Sequence, residues 1–115
     1  MHELGIVFHI MDTLEDVAKK NDVTRIQSVT VEVGEVSTVI PDYLTDCWNW
    51  AVKKKELLAD CRMVVETIHA VTYCDGCGRN FDTVEHGRIC PHCGSEKTWL
   101  VTGNEINIKE IAVES

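Results

Sequence analysis

The hydrophobic residues near the start of the chain recur at helical spacing. From Leu4 to Ala18, apolar side chains return every three or four positions, which places them on one face of an α-helix. Lys19 and Lys20 follow, at the end where the helix dipole favours cations. The pattern predicts a first helix that ends near Asn21. Its predicted buried stripe comprises Leu4, Val7, Phe8, Met11, Leu14, Val17 and Ala18.

The hydrophobic period shortens to two between Arg25 and Val36. Valines there alternate with polar residues, a pattern typical of a strand with one buried face. Two further apolar segments, from about Arg62 to Val71 and from Asn104 to Val113, predict a second and a third strand.

A second helix is predicted to begin at Pro41. Proline is well tolerated in a first helical turn, where its missing N–H has no partner to lose. The apolar positions that follow predict a helix through about Lys55. Trp48 and Trp50 lie two positions apart, so they cannot both face inward, and we expect at least one at an edge.

Two Cys-x-x-Cys-Gly motifs interrupt this α/β pattern. The pairs Cys74–Cys77 and Cys90–Cys93 are separated by the twelve residues 78–89. Each pair directs two sulfurs to one side, and two pairs complete the tetrahedral four-thiolate shell that suits zinc. Gly78 and Gly94 follow the pairs, where a tight turn needs a residue that tolerates positive φ. Rubredoxin-like iron sites use the same motif and remain an alternative.

The order of elements predicts an α+β fold. Two helices pack on a small three-stranded mixed sheet, with a zinc-ribbon-like subdomain inserted between the second and third strands. The predicted domains are residues 1–71 plus 101–115 and the inserted residues 72–100. Two connections tether the insertion, which limits its freedom relative to the rest.

The remaining histidines and cysteines have simpler interpretations. His86 and His92 lie in or beside the cysteine segment, and we interpret them as solvated loop residues. The alternative is that they tune the metal or compete with cysteine as ligands. His69 is interpreted as structural, and Cys47 and Cys61 as small hydrophobic side chains.

Composition excludes several classes of function. The 115-residue chain has 19 acidic residues against 11 Lys plus Arg, for a net charge of −8. Nucleic-acid binding needs clustered positive charge, so we expect no nucleic-acid partner. The chain contains no apolar stretch near the roughly 18 residues of a membrane span. Its start lacks the features of a signal peptide, so we expect a cytoplasmic protein with reduced thiols.

No arrangement of catalytic residues is visible. The sequence lacks a Ser-His-Asp set, a glycine-rich phosphate loop and a His-Glu-x-x-His motif. We therefore expect a protein that is not an enzyme.

The N-terminal residues form a second feature with metal-binding chemistry. His2 places an imidazole beside the α-amine and a backbone amide, and Glu3 adds a carboxylate. A planar set of nitrogen ligands favours Ni(II) or Cu(II) over zinc. Taken alone, this feature fits an ordinary exposed terminal histidine better than a ligand.

Taken together, these features resemble the HypA/HybF family of nickel-insertion accessory proteins for [NiFe] hydrogenase maturation. The resemblance covers essentially the whole chain. It is carried by Met1-His2-Glu3, Val33-Gly34-Glu35, the helix that begins at Pro41, Cys74-x-x-Cys77 and Cys90-Pro-His-Cys93-Gly94.

The resemblance implies a nickel metallochaperone with two metal sites. Met1, His2 and Glu3 would bind Ni(II) weakly as transferred cargo, while Cys74, Cys77, Cys90 and Cys93 would hold a structural Zn(II). The implied partners are a GTPase of the same maturation pathway and the [NiFe] hydrogenase large-subunit precursor. Service to urease and a homodimeric state are left open. The alternative function is a zinc-ribbon protein-interaction adaptor without nickel transfer.

Overall fold

The computed structural model describes residues 3–113 of the chain. Its helices are α1 (Glu3–Asn21), α2 (Pro41–Ala51) followed by a 3₁₀ turn (Val52–Lys54), and α3 (Thr83–His86). Its strands are β1 (Ile26–Gly34), β2 (Arg62–Ile68), β3 (Val71–Cys74), β4 (Asn80–Asp82), β5 (Thr98–Thr102) and β6 (Ile106–Val113). Among residues 3–113, no helix is long and apolar enough to cross a membrane.

The predicted α+β class is confirmed, with more strands than the sequence pattern predicted. The strands form two three-stranded sheets, in the orders β2-β1-β6 and β4-β3-β5. The second predicted strand was wrong in extent, because β2 ends at Ile68 and β3 begins at Val71. The intervening Ala70 donates its backbone N–H to the Glu35 carboxylate at 2.9 Å, away from any strand ladder.

Backbone contacts divide the chain into two compact units. Unit 1 comprises Met1–Glu32, Val39–Glu66 and Asn107–Ser115, and unit 2 comprises Val33–Thr38 and Thr67–Ile106. The domain boundaries predicted from the sequence, residues 1–71 plus 101–115 and residues 72–100, stay a prediction.

Unit 1 is built around an apolar core. Its buried side chains come from α1, β1, α2 and the residues that follow α2, and α1 packs against α2. The stripe predicted for α1 was wrong at Leu4 and Phe8, which are 37% and 47% exposed, and Val17 is only half-buried. Ile10, which the prediction omitted, is buried instead. The principal core residues are Val7, Ile10, Met11, Leu14, Ala18, Ile26, Val29, Val31, Leu44, Trp48, Val52 and Leu58.

The two neighbouring tryptophans of α2 face opposite environments, as predicted. Trp48 is fully buried, and its indole N–H donates to the carbonyl oxygen of Cys61 at 2.9 Å. Trp50 is 66% exposed. The α-helix is shorter than predicted, because it ends at Ala51 and tightens into the 3₁₀ turn that follows. Burial raises the pKa of the Cys61 thiol to about 11, which fits an inert side chain.

In unit 2, a close approach of two backbone segments requires glycine. The end of β1 and the residues after it lie against the turn before β6. The Gly34 N–H donates to the Glu105 carbonyl at 2.7 Å. Val36 N–H donates to the Gly103 carbonyl at 2.9 Å. A Cβ atom on Gly34 would overlap that same carbonyl, and Gly103 has a φ of +121°. Side chains at either position would force these backbones apart.

His69 joins two carboxylates in unit 2. Its Nε2 lies 2.8 Å from Asp82 Oδ1, and its Nδ1 lies 3.2 Å from Glu35 Oε1. A neutral imidazole has only one N–H, so both contacts are hydrogen bonds only when the ring is doubly protonated. The hydrogen bond with Asp82, reinforced by the charges of both carboxylates, raises the pKa of His69 above its ordinary 6.5. The structural interpretation of His69 agrees with this position.

The His69 contacts predict that their stabilising effect depends on pH. Because the folded-state pKa is raised, the contribution is complete below the unfolded-state pKa of 6.5 and is lost as pH rises through the folded-state value. We expect His69→Gln to lower the free energy of unfolding more at about pH 5.5 than at about pH 8.5. Chemical denaturation at both pH values measures the difference. His9→Gln, on the exposed face of α1, is the control. An equal loss at both pH values would contradict the prediction.

Candidate metal centres

The two cysteine pairs of unit 2 adopt the same backbone conformation. In the first, Cys74 N–H donates to the Arg79 carbonyl at 2.9 Å, and Gly78 N–H donates to the Cys74 carbonyl at 2.8 Å. In the second, Cys90 and Gly94 make the equivalent bonds at 3.0 and 2.9 Å. Gly78 and Gly94 have φ values of +72° and +75°, so the predicted need for glycine is confirmed.

The four sulfurs converge on one point. All four Sγ atoms lie within 4.8 Å of one another. Sγ atoms of Cys74 and Cys93 are 3.6 Å apart, and those of Cys77 and Cys90 are 3.7 Å apart. Disulfides have an S–S length of about 2.05 Å, so these pairs are not bonded. A tetrahedron with metal–sulfur bonds of about 2.3 Å has edges of about 3.8 Å, which matches these distances. The cluster therefore has the geometry of a four-cysteine metal-binding site.

Backbone amides tune the charge of this cluster. Burial opposes ionisation of Cys90, but N–H donation from Cys93 and His92 outweighs it and lowers the pKa of this thiol to about 7. At Cys93, donation by the Ser95 amide is outweighed by contact with the Cys74 thiol and by burial, which raise its pKa to about 12. Four adjacent thiolates repel one another, so full deprotonation requires a cation among them.

Apart from the β4-β3-β5 sheet, this part of unit 2 has little apolar core. Its apolar cluster of buried residues consists of Cys74, Phe81 and Cys90, two of which are metal ligands. An ion at the centre of the cysteine cluster thus replaces a hydrophobic core. Four sulfur ligands saturate a tetrahedral ion and leave no position for substrate, which is the pattern of a structural site.

The two neighbouring histidines lie outside the cluster of converging ligand atoms. His86 ends α3, and its ring packs edge-on against Phe81 with a centroid distance of 6.1 Å. His92 contributes its backbone N–H, which donates to Cys90 Sγ at 3.3 Å. Within residues 3–113, the group of converging ligands contains the four cysteines alone. His92 lies in a turn, as interpreted, whereas the interpretation of His86 as a loop residue was wrong because it ends α3.

The predicted nickel site is described only at Glu3, since Met1 and His2 lie outside the described residues. Glu3 is the first residue of α1, and its Oε2 accepts a hydrogen bond from Ile40 N–H at 3.2 Å. Ile40 is the N-cap residue of α2. The carboxylate of Glu3 therefore connects the starts of two helices within unit 1.

Sequence reasoning missed the donors that act through the backbone. Amides two residues after a cysteine donate to Cys77, Cys90 and Cys93, and they belong to Arg79, His92 and Ser95. The Cys-x-x-Cys-Gly spacing was sufficient to indicate them, because the turn it forms fixes the following amides. No local pattern indicated the contact between Glu3 and Ile40.

Comparison with known proteins places the whole chain in one family. A family model described as "HypA: Hydrogenase/urease nickel incorporation, metallochaperone, hypA" matches residues 1–113. Hydrogenase maturation factor HypA of Actinobacillus succinogenes is 31% identical over 99% of this chain and 100% of the relative. Hydrogenase maturation factor HybF of Klebsiella pneumoniae is 28% identical with the same coverage.

Solved structures show the same fold. The solution structure of the Ni metallochaperone HypA from Helicobacter pylori covers 98% of this chain and 97% of its own, with a TM-score of 0.74 at 22% identity. A second solution structure of a HypA protein has a TM-score of 0.76 at 22% identity, covering 99% of this chain and 97% of its own.

Loss of one cysteine ligand is expected to release the metal and unfold unit 2. We expect Cys90→Ser to retain little or none of the ion that the parent holds, since metal binding contributes on the order of 10–16 kcal/mol to folding in comparable sites. Metal analysis and amide NMR spectra measure both effects. Cys47→Ser, a change outside the cluster, should keep both metal and spectrum. A Cys90→Ser protein with full metal content and a native spectrum would contradict the assignment.

Proposed function

The chain belongs to the HypA family of hydrogenase/urease nickel-incorporation metallochaperones, and from this premise we propose that it binds Ni(II) at its N-terminus and helps insert it into the [NiFe] hydrogenase large-subunit precursor. The family match carries the proposal, because its range of residues 1–113 spans the residues predicted to bind both metals. The chain acts as a carrier rather than as an enzyme.

The proposed nickel ligands are Met1, His2 and Glu3. The α-amine, the imidazole and adjacent backbone nitrogens form a set that favours Ni(II) over zinc. The hydrogen bond that Glu3 accepts from Ile40 supports this assignment, because it holds the residue directly after His2 against the start of α2. A site at a chain terminus suits cargo, because a partner can approach and displace its ligands in turn.

The four cysteines are proposed to hold zinc as a permanent structural ion. Sulfur–sulfur distances of 3.6 and 3.7 Å fit tetrahedral zinc, and a saturated four-sulfur shell keeps the ion out of exchange. Zinc would supply charge neutralisation and a cross-link between the two cysteine turns here. Iron in a rubredoxin-like site is the rival occupant, and metal analysis of the purified protein separates the two.

The proposed partners follow from the same pathway. A maturation GTPase works with the chain, and the [NiFe] hydrogenase large-subunit precursor receives the metal, in the cytoplasm. Urease remains a second recipient, since the family description names both enzymes. The net charge of −8 supports a protein partner rather than nucleic acid.

Nickel binding is expected to depend on His2. We expect His2→Ala to weaken Ni(II) affinity by about tenfold or more, because even outer-shell losses at metal sites cost about 10- to 100-fold. Calorimetry with a native, untagged N-terminus measures the affinity, since a tag would convert the α-amine into an amide. His9→Ala, an exposed substitution on α1, should leave nickel binding unchanged.

The opposite result has a definite meaning. If His2→Ala binds nickel as tightly as the parent while the cysteine cluster retains its metal, the N-terminal site is wrong. The interaction-adaptor function would then explain the chain better than nickel transfer.

A further inference from the structure

Unit 1 has an open groove between its two long helices. The groove has a volume of about 560 Å³. We call it the helix groove. It is lined by Phe8, Met11, Asp12 and Glu15 of α1 and by Trp50, Ala51, Lys53, Lys54 and Lys55 at the end of α2 and in the following turn.

Two aromatic side chains of the helix groove are exposed. Phe8 is 47% and Trp50 66% exposed, while the neighbouring Met11 is buried. On α1, Leu4 precedes Phe8 by one turn, and on α2, Tyr43 precedes Trp50 by two turns, so each pair shares a helix face. Leu4 and Tyr43 are 37% and 61% exposed. Large exposed apolar residues on two helices that pack together are typical of an interaction surface.

The charge at one end of the helix groove is locally positive. Lys53, Lys54 and Lys55 form the longest run of basic residues in a chain of net charge −8. Lys55 is paired with Glu15 at 3.2 Å, whereas no ion pair within residues 3–113 involves Lys53 or Lys54. Asp12 is the other acidic residue of the lining. Two unpaired ammonium groups beside exposed aromatic rings favour a ligand that combines carboxylates with an apolar face.

We propose that the helix groove is the docking site for an acidic amphipathic helix of the protein that exchanges nickel with this chain. Apolar side chains of that helix insert between Phe8 and Trp50, and its carboxylates face Lys53 and Lys54. The inference rests on the proposed nickel-carrier function for the identity of the partner, because the apolar face runs toward Leu4, two residues after His2.

A helix suits this groove for geometrical and energetic reasons. Two packed helices leave a channel that a third helix fills with side chains at i, i+3 or i+4, and i+7. From Phe8 to Glu15 the channel wall spans about 10 Å, or two helical turns of contact. Exposed Trp side chains are common energetic centres of such interfaces, and flanking charges set orientation and specificity.

The test uses a pair of synthetic helical peptides and the full chain with its metal. Each peptide has about 14 residues, which is about 21 Å of helix, with leucines at the spacing given above. One peptide carries glutamates on its flanks, and the other carries lysines at the same positions. Amide NMR shifts locate binding, and titration gives the affinity. We expect the acidic peptide to shift the signals of the helix groove and to bind about tenfold tighter than the basic peptide.

A charge-reversal variant makes the test specific. In the Lys53→Glu and Lys54→Glu double variant, the preference should reverse, so that the basic peptide binds better. The matched control is Lys19→Glu with Lys97→Glu, two exposed lysines outside the helix groove, which changes the net charge equally and should leave the preference intact. Trp50→Ala should weaken the binding of both peptides. Because Trp50 is 66% exposed, this substitution should have little effect on folding stability.

Three outcomes would overturn the docking proposal. The first is that neither peptide shifts the groove signals, and the second is that both peptides bind equally well. The third is that the signals shift with protein concentration alone, because a second copy of the chain occupies the groove. Nickel calorimetry on the same variants keeps the two proposals distinguishable. If nickel binding still depends on His2 while the peptides fail, only the docking site is wrong. If His2→Ala binds nickel normally, the nickel-carrier function fails whatever the peptides do.

Discussion

The electrostatics of four converging cysteines governs unit 2. Their sulfurs lie within 4.8 Å of one another, where four negative charges would repel strongly without a cation. A cation at the centre would neutralise the thiolates and join the two cysteine turns. The only apolar cluster beside these turns is Cys74, Phe81 and Cys90 among the described residues. Backbone amides assist by donating to the sulfurs, and they lower the pKa of Cys90 to about 7. A bound ion would therefore add a cross-link to strands that already pair with one another.

Unit 1 is stabilised by apolar packing rather than by a metal cluster. Its stability comes from an apolar core around the fully buried Trp48, so no metal is required to hold α1 in place. The first described residue of α1, Glu3, is fixed to Ile40 at the start of α2. Under the proposed function, a nickel site at the N-terminus could lose and regain its metal without disturbing this apolar core. The proposal therefore assigns the two metals to different ligands, with sulfur for the structural ion and nitrogen for the transferred one.

The sequence predicted those features whose physical cause is local. Helical spacing identified α1, alternation identified β1, and the Cys-x-x-Cys-Gly repeats identified both turns and the need for Gly78 and Gly94. Local patterns failed where distant residues decide the outcome. The strand-like pattern from Arg62 to Val71 gave no sign of the break between β2 and β3, where the Ala70 N–H donates to the carboxylate of Glu35, 35 residues earlier in the chain. The short strands β4 and β5 exist because they pair with β3. Phe8 and Ile10 lie on opposite sides of the helical stripe, and tertiary packing buries only the side of Ile10.

X-ray absorption at the nickel and zinc edges of one doubly loaded sample tests the central claim most directly. The claim is that two metals occupy two sites of different ligand chemistry on one chain. It predicts about four sulfur neighbours at about 2.3 Å around zinc and only nitrogen and oxygen neighbours around nickel. Sulfur scattering at the nickel edge would contradict the account, because it would place the cargo on the cysteine cluster.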